Sequence, residues 1–553
     1  MNPRSPPLPA GLLRVAACVV LIGVAAGSVY WPGLAGYWGR DDFMQLAIVQ
    51  LVGSPWPFFF QDHYPVPGAV FRPLGFASMW LDTALFGTAY RGHALVDLGL
   101  HVGVALALFA LLRRLRVPVA IGLGAALLFA LHPLAIGTAQ WWSARFDLLA
   151  TGFILLVLLG ACRWRERPSL PLLAATLLAA LAAMASKEIG LLVVVPISLA
   201  WWPHPGVAPA RRAQAWRAIG AAWAIAGLFL AWRALVLGTP ASALTGHLAL
   251  SDVLTRGLAD WLHYTPGYLS FWQRLDGAGQ ACLVLAALAA LALVLPALRA
   301  GPHADAGAPR LALRLGLCLL LLPALLQAPI AAQNALPLTG EMSAVGAAMQ
   351  SRLYYLGLAG VVILLAALLS RAHGGLPRRW RAVVLLPALL ALAAWAPAAR
   401  EASTQFAAVA RANGALAQAA VAAVADLDLP DSACRIVFDG IAPPPEWDIF
   451  VSMDSVLKAL ALAQPGIGHC IVRANYPTWF GLFAAPWQPA DALPFVPLMA
   501  DGEAVPWLHA GGLVIAYLEP PSDPAGDALA DGWLLEWRSG QFVATRTGRL
   551  PMR

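Results

Sequence analysis

The chain has 553 residues, of which 60% are hydrophobic and only 12% charged, with a formal net charge of +7. A soluble domain carries about 25% charged residues, so this balance excludes a soluble globular protein and points to a polytopic membrane protein. The basic residues are spread between apolar runs rather than gathered on one soluble surface, which also excludes a nucleic-acid partner.

In chain order, apolar stretches long enough for a bilayer of about 30 Å fall at 11–30, 93–112, 118–135, 147–162, 170–185, 189–203, 218–237, 279–298, 312–330, 353–370 and 382–398. They predict about eleven spans. The first lacks a clean small-residue cleavage site and reads as an anchor rather than a cleaved signal. Segment 70–88 is apolar but carries Arg72, Pro73 and Asp82, which predicts an interfacial or re-entrant helix. Arginines crowd alternate connections: Arg113, Arg114 and Arg116; Arg163, Arg165 and Arg167; Arg211, Arg212 and Arg217; Arg299, Arg310 and Arg314; Arg371, Arg378, Arg379 and Arg381. The positive-inside rule makes that side cytoplasmic, together with the amino terminus. The first loop (31–92) and everything after the last span then lie outside.

The domain boundary is expected near residue 400, with a membrane domain over 1–400 and a small α/β domain over 401–553. The tail has a helical stretch at 402–425, strands at Cys434–Phe438, Cys470–Arg473 and Leu513–Tyr517, an amphipathic helix at 449–463, and a hairpin from Trp533 to Ala544 turning at Ser539-Gly540. Cys434 and Cys470 are the tail's two cysteines and suggest a disulfide in an oxidising compartment. Cys18, Cys162, Cys282 and Cys318 lie in or beside spans and read as packing residues. Abundant alanine and arginine, with only two lysines, suggest a GC-rich bacterial genome. The membrane is then the inner one and the outside the periplasm.

The polar residues of the membrane half gather on the outer side. Asp41 and Asp42 stand side by side beyond the first span. Adjacent carboxylates repel one another and lose hydration near a bilayer, so they either form a solvated turn or serve a cation, a phosphate neighbour or proton transfer. Asp62, His63, Arg72, Asp82, His93, Asp97 and His101 follow, then His132-Pro133 and Trp142-Ser143-Ala144-Arg145-Phe146-Asp147. Lys187-Glu188, Arg233 and Arg352 complete the set. Lys187 with Glu188 is either a mutual ion pair or a compact cation for a phosphate that Glu188 orients. Arg145 and Asp147 allow the same two readings. His132 either caps a helix end or takes part in chemistry, and His101 reads as an interior histidine. Tryptophans 31, 38, 141, 142, 201 and 202 sit where an aromatic belt is expected. Cations that hold phosphate and carboxylates that activate a hydroxyl, all on one face, suit a reaction between a lipid phosphate and an outward-facing acceptor.

Several of these motifs occur in an order that resembles a known family. Asp41-Asp42, Phe71-Arg72-Pro73-Leu74, Gly92-His93 through Leu100-His101, Leu131-His132-Pro133-Leu134 and Trp142 through Leu149 are followed by Ser186-Lys187-Glu188, Ala231-Trp232-Arg233 and Arg352 through Gly357. Together, over about residues 30–360, they resemble the GT-C membrane glycosyltransferases, in particular the bacterial relatives of the O-mannosyltransferase-like branch. Asp97 stands where the family pattern has asparagine, and an α/β tail stands where animal members carry helical repeats. The resemblance implies transfer of a sugar from a polyprenyl-phosphate donor to a periplasmic glycan, lipid or protein acceptor. It implies Asp41 or Asp42 as the base, with Arg72, Arg145, Lys187 and Arg352 holding the donor phosphate. Asp147, Glu188, His93 and His132 would bind or orient the acceptor. A monophosphate leaving group needs no obligatory metal, although a divalent ion could sit at Asp41, Asp42 and Asp147. A single displacement with one base inverts the anomeric centre. A lipid-linked polysaccharide polymerase or ligase would share the outer site but use a diphosphate donor. A transporter would show internal repeats or ionisable groups deep in its spans.

Overall fold

The computed structural model describes residues 10–39, 41–64, 68, 70–203, 207–239, 251, 253–299, 307–325, 351–429, 434–439, 470–474 and 532–547. Helices dominate. The first half comprises α1 (Ala10–Tyr30), α2 (Asp41–Val52), α3 (Pro73–Phe86), α4 (Tyr90–Arg114), α5 (Val119–Ala130), α6 (Ile136–Ala139), α7 (Arg145–Glu166), α8 (Leu170–Ser186), α9 (Val194–Trp201) and α10 (Pro209–Leu237). The second half adds α11 (Leu258–Ser270), α12 (Gly277–Arg299), α13 (Gly307–Leu321), α14 (Tyr355–Gly375) and α15 (Leu386–Ala425).

The stretches predicted to span the membrane are mainly helical where they are described, but the described residues do not give eleven spans. Among the described residues, seven helical segments are long and apolar enough to cross: Leu13–Ala35, Tyr90–Arg114, Trp142–Glu166, Pro209–Leu237, Gly277–Arg299, Arg352–Gly375 and Arg378–Ala425. An eighth is obtained if α5 and Pro133–Ala139, which meet at 50°, form one bent span. The bend has a local cause: Pro133 lacks an amide hydrogen, and the Nδ1 of His132 instead accepts the Leu134 amide at 3.0 Å. The Lys187-Glu188 break leaves α8 with 17 residues, about 26 Å at 1.5 Å per residue. The next apolar helix, Glu188–Trp201, is shorter still. That break falls where the sequence placed it, between 185 and 189; the two helices are shorter than the candidate spans. The expected interfacial segment is α3, which starts at Pro73 and stops at Gly87, where φ is +57°.

The helix ends sort by charge. Arg114 at the end of α4 pairs with Glu166 at the end of α7, Nη1 to Oε2 3.2 Å. Arg371 of α14 donates to the Ala297 carbonyl of α12 at 2.9 Å. The opposite ends meet elsewhere: Tyr30, ending α1, donates its hydroxyl to the His132 carbonyl at 3.1 Å. The arginine-bearing ends of α4 and α7 therefore meet, as do those of α12 and α14.

α15 runs unbroken through residue 400, so the boundary expected there falls inside a helix. Its alanine-rich face, including Ala399, Phe406, Ala410, Leu416, Ala417 and Ala420, is buried. The polar half predicted as the start of a separate tail is thus packed on the membrane half. Beyond it lie β1 (Cys434–Asp439), β2 (Cys470–Ala474), β3 (Gly532–Arg538) and β4 (Gln541–Thr547). They form one sheet in the order β2-β1-β3-β4. β1 is parallel to both β2 and β3, whereas β3 and β4 form the predicted hairpin. Ser539 and Gly540 both have positive φ, 50° and 87°, as a two-residue hairpin turn requires. β4 packs against α15. The strand predicted at 513–517 and the helix at 449–463 lie outside the described residues.

Candidate functional site

The site is organised by one short segment, Trp141 to Asp147. A turn of 3-10 helix (Trp142–Ala144) leads into α7, and alternate residues each engage a different part of the chain. The Arg352 guanidinium lies over the Trp141 ring, 4.4 Å from its centroid. Ser143 donates its amide (2.9 Å) and its hydroxyl (2.5 Å) to Asp42 Oδ1. Arg145 donates Nε to Asp97 Oδ1 at 2.7 Å and places Nη1 2.5 Å from Asp82 Oδ2. Asp147 accepts from Lys187 Nζ on both oxygens, at 2.6 and 2.7 Å. Seven residues thus tie together the first loop, α3, α4, the α8 end and the α14 start.

Asp42 is buried, and its second oxygen accepts the Gly39 amide at 3.1 Å. The carboxylate therefore braces the loop that enters α2 against the Trp141–Asp147 segment. Asp41 is the first residue of α2.

Lys187 and Glu188 do not pair with one another, which corrects the expectation that Glu188 orients Lys187. The lysine turns to Asp147. Glu188 takes Arg72, with Nε at 3.0 Å and Nη2 at 2.8 Å from Oε2, and Arg233 at 3.7 Å. Adjacent residues leave an extended turn in different directions: Lys187 has φ −162° and ψ 153° before a 3-10 turn begins at Glu188. Arg145 and Asp147 likewise do not form a pair but serve separate partners.

Arg72 caps α3 ahead of Pro73, and its guanidinium also covers the Phe146 ring at 5.0 Å. The close fit needs Gly75, because a Cβ there would stand 2.2 Å from Phe146 Cδ1. Trp232, next to Arg233, meets Phe71 edge-on at 5.0 Å and donates to the Phe59 carbonyl at 2.9 Å. Motifs some 160 positions apart in sequence are therefore neighbours.

The electrostatics follow from this packing. Burial pushes Lys187 down from 10.5 to about 8; Asp147 opposes the shift, while the charges of Arg72 and Arg352 add to it. Burial also disfavours the charges on Arg72 and Glu188, but each overrides it for the other: the arginine is raised and the glutamate lowered. Among the described residues of this network, the cations Arg72, Arg145, Lys187, Arg233 and Arg352 are matched in number by the carboxylates Asp42, Asp82, Asp97, Asp147 and Glu188.

Other predicted site residues are held in packing roles. Arg145 is fully buried between two carboxylates, unlike Arg72 and Arg352. His93 is buried under Trp38, Trp142 and Phe86, with Nε2 at 2.9 Å from the Gly87 carbonyl. His132 caps the turn at Pro133, and its Nε2 lies 3.0 Å from the Leu269 carbonyl. His101 is interior as expected, between the Tyr355 hydroxyl (2.7 Å) and the Ala130 carbonyl (3.0 Å). Of the six belt tryptophans, Trp31 and Trp202 are exposed; Trp38, Trp141, Trp142 and Trp201 are buried, the first three around the site.

Two of the three carboxylates considered for a divalent ion are engaged within the protein. Asp42 and Asp147 spend all four oxygens on hydrogen bonds. No group of three His, Cys, Asp or Glu side chains converges among the described residues. The backbone register sets Cys434 directly opposite Cys470. Cys18 and Cys162 are buried and unpaired, and Cys282 and Cys318 are half-buried and unpaired.

Sequence reasoning missed Ser143, Gln140, Ser403 and Asn413 as structural partners. Gln140 Nε2 bridges the Tyr30 carbonyl (3.1 Å) and Ser403 Oγ (2.5 Å), and Asn413 reaches the Trp38 carbonyl. One signal was present: Ser403 and Asn413 are polar residues on the otherwise alanine-rich inner face of α15.

No protein-family profile and no curated protein matches the chain. Among solved structures, the oligosaccharyltransferase of Archaeoglobus fulgidus, tethered to an acceptor peptide containing the NVT sequon, aligns with a TM-score of 0.41 and 15% identity. The alignment covers 77% of this chain and 62% of that one, so this chain spans about three fifths of that enzyme's length. At this similarity, the functional reading rests on the geometry of the site.

Proposed function

We propose that the chain is a membrane glycosyltransferase that moves a sugar from a polyprenyl-phosphate donor to an acceptor hydroxyl on the periplasmic face of a bacterial inner membrane. The observation that carries the reading is the Trp141–Asp147 segment. Within seven residues it engages Asp42, at the start of the helix that begins with Asp41, through Ser143, Arg352 through Trp141 and Lys187 through Asp147.

In this reading Asp41 is the base and Asp42 its brace, because the Asp42 carboxylate is occupied by Ser143 and Gly39. Asp41 takes the proton of the acceptor hydroxyl as that oxygen attacks the anomeric carbon. The bond from that carbon to the phosphate oxygen breaks, and the configuration inverts. The donor phosphodiester carries one negative charge and the departing polyprenyl phosphate carries two. Arg72, Lys187 and Arg352, supported by Arg233 through Glu188, stabilise the added charge. Arg145 braces the site through Asp82 and Asp97, and His93 and His132 hold its walls. No step runs through a metal ion. Apolar surfaces between the spans would hold the prenyl chain.

The test compares envelope glycans and lipid-linked sugars by mass spectrometry in a deletion strain. The strain is restored with wild type or with Asp41→Asn at matched membrane abundance. The expected outcome is loss of one sugar modification, accumulation of a polyprenyl-phosphate sugar and no rescue by the variant, in line with the roughly 10²–10⁴-fold contribution of a general base. Accumulation of a diphosphate-linked glycan would instead identify a polymerase or ligase. Full rescue by Asp41→Asn would remove the base and return transport to consideration.

A further inference from the structure

The loop that delivers Asp41 is gripped from outside the catalytic motifs, by the outward half of α15. Asn413 is fully buried, and its Nδ2 donates to the Trp38 carbonyl at 2.7 Å across 375 positions of sequence. Since a carbonyl oxygen can only accept, the amide orientation follows from this bond. Trp38 lies three residues before Asp41. Its ring stands edge-on to Tyr90, His93 and Trp142, and its Nε1 donates to the Thr88 carbonyl at 3.2 Å. Gly39, the next residue, exchanges two bonds with Asp42: its amide to Oδ2 at 3.1 Å, and its carbonyl with the Asp42 amide at 3.0 Å. The chain of contacts runs from Asn413 through Trp38 and Gly39 to the first turn of α2.

The neighbouring position points the same way. A Cβ on Gly414 would lie 2.6 Å from Tyr37 Cγ, so α15 lies against the loop at a distance only glycine permits. The Tyr37 hydroxyl in turn hydrogen-bonds Gln418, one turn farther along α15. Packing alone does not call for an asparagine here. The residues around it on this face are Phe406, Ala410, Leu416 and Ala417, and Asn413 Oδ1 meets no hydrogen-bond partner among the described residues. A buried amide with an unmet acceptor costs stability. A leucine would fill the space without that cost, but it could not fix the Trp38 carbonyl.

We infer that Asn413 is a positioning residue for the transfer reaction: it sets the Trp38 carbonyl, and through Gly39 and Asp42 the place where the helix bearing Asp41 begins. The outward half of α15 is then a wall of the active site rather than a tethered tail. The inference rests on the reading of Asp41 as the base, and its test is built to separate the two.

The full chain in lipid nanodiscs is compared as wild type, Asn413→Leu and Ala420→Gly. The last loosens the same helix away from the loop. Hydrogen exchange over residues 36–44 reports the loop directly, and transfer from a polyprenyl-phosphate sugar reports kcat and donor KM. Asn413→Leu is expected to speed exchange in that peptide at least tenfold and to lower kcat 10- to 100-fold, with donor KM within threefold. Ala420→Gly is expected to change neither. Unchanged exchange in Asn413→Leu overturns the inference whatever the activity, and so does faster exchange with wild-type kcat. Faster exchange in a protein whose wild type transfers no sugar would uphold the grip on the loop. It would also overturn the positioning role in transfer, together with the reading of Asp41 as base.

Discussion

The Lys187–Asp147 pair separates a structural ion pair from a donor-binding one, because the two roles predict different double variants. Both side chains are almost fully enclosed, and Nζ contacts both carboxylate oxygens at 2.6 and 2.7 Å. Removing one partner strands the other charge, which costs about 3–5 kcal/mol for a buried pair, whereas replacing both with apolar residues of similar volume is often neutral. Lys187→Met alone should therefore lower the thermal midpoint markedly, and Asp147→Leu with Lys187→Met should bring most of it back. Activity should not follow. If Lys187 also meets the donor phosphate, the double variant still lacks that cation, and kcat/KM for a polyprenyl-phosphate sugar stays down by about 10²–10³, the usual loss for one preorganised charge-stabilising donor. Melting of the purified protein in one lipid composition, paired with initial rates, measures both quantities. Recovery of stability and rate together in the double variant would refute the donor role and leave the pair as scaffolding.

The other predictions are narrower. With Lys187 held near 8, its charge is present below that pH and lost above it, so donor KM should rise as the pH passes through about 8. Lys187→Arg, which keeps its charge, should move that limb to higher pH; an unchanged profile would separate the limb from Lys187. The stability sign is opposite: the unfolded lysine stays protonated up to about 10.5, so between those values the unfolded state binds the extra proton and stability from this group rises with pH. In the tail, the register of β1 with β2 predicts that Cys434 and Cys470 resist alkylation until reduced, when the protein is isolated from an oxidising compartment. Intact mass after iodoacetamide, with and without reductant, reads this directly, and full labelling without reductant would exclude the bond.

How much of this was legible in the sequence depends on the length scale of each signal. Composition and apolar runs identified a helical membrane chain, and two of the arginine-rich helix ends predicted to share a side, those of α4 and α7, meet at the Arg114–Glu166 contact. Both are one-dimensional signals that repeat many times. The span count was less legible, since Pro133 bends a helix without interrupting apolarity, and the helices on either side of Lys187-Glu188 are apolar but short. The hairpin at Ser539-Gly540 was readable because a two-residue turn states its own backbone requirement.

At the site, residue types could be read but not partners. Lys187-Glu188 invites a mutual pair, yet each cation chooses among carboxylates brought close by the packing of α3, α7, α8 and α10, and in sequence those lie 40 to 116 positions away. For the same reason Arg72 and Arg145 look equivalent in sequence and differ in place. Arg72 is about one-fifth exposed and spends its charge on one carboxylate shared with Arg233, while Arg145 is sealed between two. A guanidinium enclosed by two carboxylates has little field left for a phosphate. A partly open guanidinium that shares one carboxylate with a second arginine keeps a net positive edge. On the proposed reading, the partly open Arg72 is therefore the better placed of the two to meet a donor phosphate, and Arg145 holds the Trp141–Asp147 segment in place.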